Sequence, residues 1–136
     1  DVAELLFDAV VKGDMEGMAT LLQLGASIHA VDAHKRTVLH WAALQPAGEH
    51  LVLQLVRLGA PIDEQDALGR TPVHYMAERD RALGLACLLH YGARTNSRTS
   101  DERRETPLHA AARHGHERAL KLLLAFGANP AARDAL

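Results

Sequence analysis

Thr106-Pro107-Leu108-His109-Ala110-Ala111-Ala112-Arg113 opens with a residue type that caps helices and follows it with Pro at the first helical position, where the missing N–H is harmless. A short helix starts here, and Gly115 stops it after about two turns. From Glu117 to Phe126 the apolar residues Leu120, Leu123, Leu124 and Phe126 recur on a helical period, and Gly127 supplies the next stop. The motif is helix, tight turn, helix. Near-copies of its opening, Thr37-Val38-Leu39-His40 and Thr71-Pro72-Val73-His74, place the three tetrapeptides 34 and 35 residues apart. A second marker runs in step: Gly25-Ala26, Gly59-Ala60, Gly92-Ala93 and Gly127-Ala128 are separated by 34, 33 and 35 residues, which adds a first unit without the tetrapeptide. A period of this size describes a stacked array, because one such unit cannot bury its apolar face alone.

Tetrapeptide, Ala-Ala pair, Leu-Leu and Gly-Ala in fixed register resemble the ankyrin repeat, and the likeness covers residues 2 to 136. The resemblance implies an all-α repeat fold, an ankyrin-type solenoid of four helix-turn-helix units joined by projecting β-hairpin-like loops. The repeats are expected at about 1–31, 32–65, 66–100 and 101–133 in a single domain. Residues 134–136 read as the start of a further repeat, since Asp134-Ala135-Leu136 copies Asp66-Ala67-Leu68. That match, with the absence of an initial Met, reads as a fragment of a longer protein.

Departures from the pattern mark particular places. The first unit spreads Glu4, Asp8, Lys12, Asp14 and Glu16 along its helices, as a terminal cap with one wet side does. Leu44-Gln45-Pro46-Ala47-Gly48 has one residue more between helices than the fourth unit, and Pro46 should end the first helix sharply. Gly92 and Thr106 lie 14 positions apart, against 12 for the other two such intervals, so the hairpin loop from Arg94 to Glu105 should be the longest and most charged.

Composition narrows the function classes. The 136 residues are 48% hydrophobic, 24% charged and 4% aromatic, which is globular and leaves few rings for stacking on bases or sugars. A formal net charge of −2 gives no electrostatic case for nucleic acid. Three acids in the basic loop around Arg94, Arg98, Arg103 and Arg104 oppose it further. No apolar run reaches the ~18–20 residues of a membrane span. One cysteine and no Asn-x-Ser/Thr acceptor point to a reducing intracellular compartment, cytoplasm or nucleus.

Nine His invite a metal or acid–base reading, which their placement opposes. His40, His74 and His109 sit in the tetrapeptide, where the resemblance implies bonds to neighbouring backbone. His114 and His116 flank Gly115 without a Cys or third ligand nearby, and His29, His34, His50 and His90 read as loop or helix-end residues. Cys87 falls on the apolar stripe with Leu85, Leu88 and Leu89 and reads as a buried inert thiol. Trp41 and Tyr75 follow the tetrapeptide His and either fill the inter-repeat core, the favoured reading, or show an edge on the inner surface, where a partly exposed ring is a natural binding anchor. Without a phosphate loop, a nucleophile elbow or paired carboxylates, neither catalysis nor a cofactor is expected. Thr99 and Ser100 are expected to be accessible to a kinase in the long loop.

The resemblance implies binding of another protein on a concave face built from hairpin tips and first-helix surfaces. Carried over residue by residue, it selects His34, Arg36, Leu68, Arg70, Glu102, Arg103 and Glu105 in the turns, and Leu44, Gln45, Glu78, Arg79, Arg113 and His114 on the first helices. The recurrence of Arg suits an acidic or extended segment of a partner, with the chain itself monomeric. The alternative is a spacer or regulatory portion of a larger multidomain enzyme or adaptor, making intramolecular contacts.

Overall fold

The computed structural model describes residues 1–46 and 49–131. Its described residues form eight helices and no strand: α1 (Val2–Lys12), α2 (Met15–Gln23), α3 (Val38–Leu44), α4 (Glu49–Arg57), α5 (Pro72–Glu78), α6 (Ala82–His90), α7 (Pro107–Arg113) and α8 (Glu117–Ala125). They stack as pairs. Helices α1, α3, α5 and α7 pack one on the next as an inner column, α4, α6 and α8 stack as an outer column, and α2 packs on α1. The all-α solenoid that the resemblance implies is therefore present.

Seven-residue helices such as α3, α5 and α7 are too short to persist on propensity alone. Packing and caps hold them. Thr37, Thr71 and Thr106 stand at the N-caps in extended conformation, and each is closed by the His three residues on. The apolar faces meet in one continuous core running from Leu6 and Val10 through Leu39, Leu55, Met76 and Leu88 to Leu123, all at most 1% exposed. Layers this thin need small residues at their contacts. Ala42, Ala43, Ala77, Ala110 and Ala111 are buried, and a Cβ on Gly84 would meet Met76 Sδ at 3.1 Å, so α6 lies almost directly on its neighbour.

Between paired helices the chain reverses through a left-handed residue: Gly13, Asp80 and Gly115, with φ of 70°, 54° and 70°. In the second unit α3 ends at Leu44, two residues before Pro46, while Ala47 and Gly48 of the expected longer turn lie outside the described residues, as do residues 132–136.

The connecting loops are hairpin-like turns. Asp32 N–H donates to the Arg36 carbonyl (3.0 Å), Asp66 N–H to that of Arg70 (2.9 Å) and Thr99 N–H to that of Glu105 (2.9 Å). Asp32 Oδ1 accepts from the N–H groups of His34 and Arg36, and Asp66 Oδ1 from those of Leu68 and Arg70. In the longer third turn Thr99 takes that place, accepting from Glu105 N–H and donating to Asp101 Oδ1 at 2.6 Å. The Thr99 hydroxyl is the main reason that the Asp101 carboxyl titrates below its ordinary value. Lys35, Gly69 and Arg104 all adopt the left-handed conformation, so the turn demands it three times and glycine supplies it once.

Successive turns are laced together. Ala67 N–H donates to the His34 carbonyl and Ser100 N–H to that of Leu68, each at 2.9 Å. Further down, Asp63 Oδ1 accepts from Arg94 N–H (2.8 Å) and Asn96 Oδ1 from Asn129 N–H (2.9 Å). Pro61 stands at the corresponding donor position of the second unit and has no N–H to give.

Candidate functional site

The inner edge of the array is set by the His of each tetrapeptide. His40 Nδ1 accepts from Thr37 N–H at 3.0 Å, which leaves Nε2 protonated to donate to the Arg70 carbonyl of the next unit at 2.8 Å. His74 repeats this with Thr71 N–H (3.1 Å) and the Glu105 carbonyl (2.9 Å). His109 accepts from Thr106 N–H at 3.1 Å. Burial is the main cause pushing the His40 and His74 imidazoles below their ordinary value, so both are neutral structural links. The backbone bonding implied for these residues is what the geometry contains.

Above His40 and His74 sits a small ladder of side chains. Trp41 Nε1 donates to Asp32 Oδ2 (3.0 Å), and Tyr75 Oη donates to Asp66 Oδ2 in the same register. The guanidinium groups of Arg36 and Arg70 lie over these rings at 5.8 and 5.7 Å from the ring centres. Tyr75 is core, 4% exposed, and burial, then Asp66, pushes its phenol up to about 12. Trp41 packs against the core but is only half-buried, its ring 6.3 Å from that of Phe7.

Two ion pairs continue the ladder. Arg70 Nη1 meets Glu78 Oε2 at 2.9 Å, and Arg113 grips Glu105 through Nε and Nη2, both at 3.0 Å. Each joins the last residue of a turn to a first-helix residue eight positions on, with the signs exchanged between the two units. His114 Nε2 lies 3.7 Å from Glu78 Oε1, and His116 Nε2 donates to the Glu78 carbonyl at 2.8 Å.

Several residues selected from the sequence change character here. Glu105 is 4% exposed, its carboxylate taken up by Arg113 and its N–H by Thr99, so it offers nothing to a partner. Arg70 and Arg113 have their forks engaged within the chain, and Arg36 is half-buried over Trp41. Leu44 and Gln45 are half-buried, with Gln45 Nε2 donating to the Trp41 carbonyl at 3.3 Å. His34, Leu68, Arg79, Glu102, Arg103 and His114 are exposed. A hollow of about 280 Å³ opens between the first two turns, lined by His34, Arg36, Asp66, Ala67 and Leu68. The i to i+8 pairing escaped the sequence reading, although Arg70 with Glu78 and Glu105 with Arg113 stand at matching positions.

Thr-x-x-His caps, left-handed turns and stacked helix pairs recur at one register from the second unit to the fourth. A family model of ankyrin repeats (3 copies) matches residues 6–98 and again residues 39–134. The chain belongs to the ankyrin repeat family. No match is found among curated proteins. Ankyrin repeats are generally protein–protein interaction modules and typically non-catalytic. In this ankyrin array no helix among the described residues is long and apolar enough to cross a membrane. Nor is any group of three or more His, Cys, Asp or Glu among them placed to hold a metal ion. Cys87 is half-buried at the surface of the outer helices rather than sealed in the core.

Proposed function

We propose that this ankyrin array is a non-catalytic binding module that holds a segment of another protein along its turn tips and the exposed ends of α3, α5 and α7. The observation that carries this reading is the division of labour on the inner edge. His40, His74, Tyr75, Glu105 and the Asp carboxylates meet the array's own hydrogen-bonding needs, which leaves His34, Leu68, Arg79, Glu102 and Arg103 exposed without a structural task at their tips, and His114 exposed beside Glu78.

The partner chemistry differs from a simple acidic ligand. With the Arg70 and Arg113 forks already paired, the exposed set mixes Arg79 and Arg103 with Glu102, Leu68 and the imidazoles of His34 and His114. A segment carrying both polar signs and an apolar residue near Leu68 fits it best. Affinity capture with the chain and with an Arg79→Glu/Arg103→Glu/Leu68→Asp variant of equal helicity tests this. Partners held by the unaltered chain and lost by the variant support it. Identical retention by both removes the inner edge as the site and favours intramolecular contacts with another part of a larger protein.

A further inference from the structure

The outer column carries a second, chemically different surface. Between α4 and α6 runs an open groove of about 490 Å³ whose floor and walls are Leu53, Leu83, Ala86, Cys87 and Tyr91. Leu83 is 71% exposed and Tyr91 45%, so two large apolar side chains stand in water on its rim. The turn contacts, the His links and the core packing use none of these tips. Its ends differ in charge through Glu49 and Arg57. Glu49 lines the end where α4 begins, and Arg57, the last residue of α4, stands outside the lining at the other end but near enough to act on the Cys87 thiol, while His50 and His90 stand one at each end.

We propose that this groove binds an amphipathic helix of a partner protein, acidic in its first turn and basic in its last, lying antiparallel to α4 and α6. The polarity follows from the ends: an antiparallel helix brings its N-terminal carboxylates to Arg57 and His90 and its C-terminal cations to Glu49. The same placement suits the occupant's own dipole and sets it against two dipoles running the other way. Apolar residues at i, i+3 or i+4, and i+7 would meet Leu53, Leu83 and Tyr91, completing a three-helix layer. Two helices of nine residues make a face about 13 Å long, which seats one short helix, and a second copy as the source of that helix is an outcome the test separates.

Cys87, the one cysteine of the chain, lines the groove and reports on it directly. The probe is a stapled helical peptide with Glu in its first turn, Leu at i, i+4 and i+7, and Lys in its last turn, beside a control with the two charges exchanged. The rate of Cys87 alkylation by iodoacetamide is read at a pH of about 9, because burial pushes this thiol up. The saturating peptide should slow alkylation about tenfold, and the exchanged peptide, weaker by at least ~1.4 kcal/mol, should slow it little at the same concentration. Leu83→Glu, at an exposed position, should remove the protection with helicity unchanged, and Arg57→Glu should shift preference toward the exchanged peptide. No protection by either peptide, or equal protection by both, overturns the proposal. So does an alkylation rate that falls with protein concentration when no peptide is present, since a second copy would then fill the groove.

Discussion

His40 Nε2 and the carbonyl of Arg70 meet at 2.8 Å across the junction between the second and third units, thirty residues apart in sequence. The bond is one of a series that turns a local cap into a long-range tie: Nδ1 fixes the start of a helix, and Nε2 fixes the turn that precedes the next one. A stack of short helices gains its order from such ties, because each unit contacts only its neighbours.

Replacing His74 with Phe keeps a ring of similar size and removes both nitrogens. The Thr71 N–H and the Glu105 carbonyl then lose their partners, and each buried unsatisfied group costs roughly 1–3 kcal/mol. Urea unfolding should show a loss of about 3 kcal/mol. A change no larger than that of an exposed substitution would mean that the tie contributes nothing.

The pH dependence follows from the same imidazoles. Burial lowers the folded-state values of His40 and His74 from 6.5, so folding favours the neutral form. Above 6.5 neither the folded nor the unfolded imidazole gains a proton, and this contribution to stability is complete and flat. Below it the unfolded chain binds protons that the folded chain refuses, and stability falls by up to ~1.4 kcal/mol per pH unit for each His until the folded value is reached. Equilibrium unfolding followed from about pH 8 to about pH 5 should show this loss, reduced in the His74→Phe background by one group's share. A curve that stays level on acidification contradicts neutral, buried imidazoles.

Two glycines with similar backbone should respond differently to Ala. Gly115 has φ +70° and nothing within 4 Å of an added Cβ, so only the left-handed conformation is penalised, by about 1 kcal/mol. Gly69 has φ +75° and its Cβ would stand 2.4 Å from the Ser100 amide nitrogen, the donor of the bond between the second and third turns. Gly69→Ala should cost at least ~1 kcal/mol more than Gly115→Ala in thermal unfolding. Equal costs would show that the turns do not hold one another.

Exchanging a pair should be tolerated better than breaking it. Arg70→Glu alone sets two half-buried carboxylates together and should destabilise by about 1–2 kcal/mol. Adding Glu78→Arg restores the pair in the sense that Glu105 and Arg113 already use. Recovery should be incomplete, because the Glu78 charge also acts on Arg113, where a second cation would then face it. A double variant no more stable than the Arg70→Glu single variant would deny the coupling.

Register, helix starts and the role of the tetrapeptide His were legible because each is written in local chemistry: Thr before Pro, Ala where layers are thin, Gly at the stops. What sequence did not yield lies between segments. Glu105 looked like a surface residue until the turn placed it eight positions before Arg113 and under its guanidinium. Cys87 shares the apolar period of α6, but it lines the groove between α4 and α6 and is only half-buried. Trp41 and Tyr75 occupy the same register, yet only Tyr75 is sealed; Trp41 packs toward the first unit, where Phe7 is its ring neighbour.

Hydrogen–deuterium exchange on the chain with and without a captured partner tests the central claim most directly. The account predicts slower exchange in the turns at 34–36, 67–70 and 101–104 and at the ends of α5 and α7 around Arg79 and His114, with α8 unchanged. Protection confined to α4 and α6, with the turns exchanging as in the free chain, would contradict it and move the partner to the outer face.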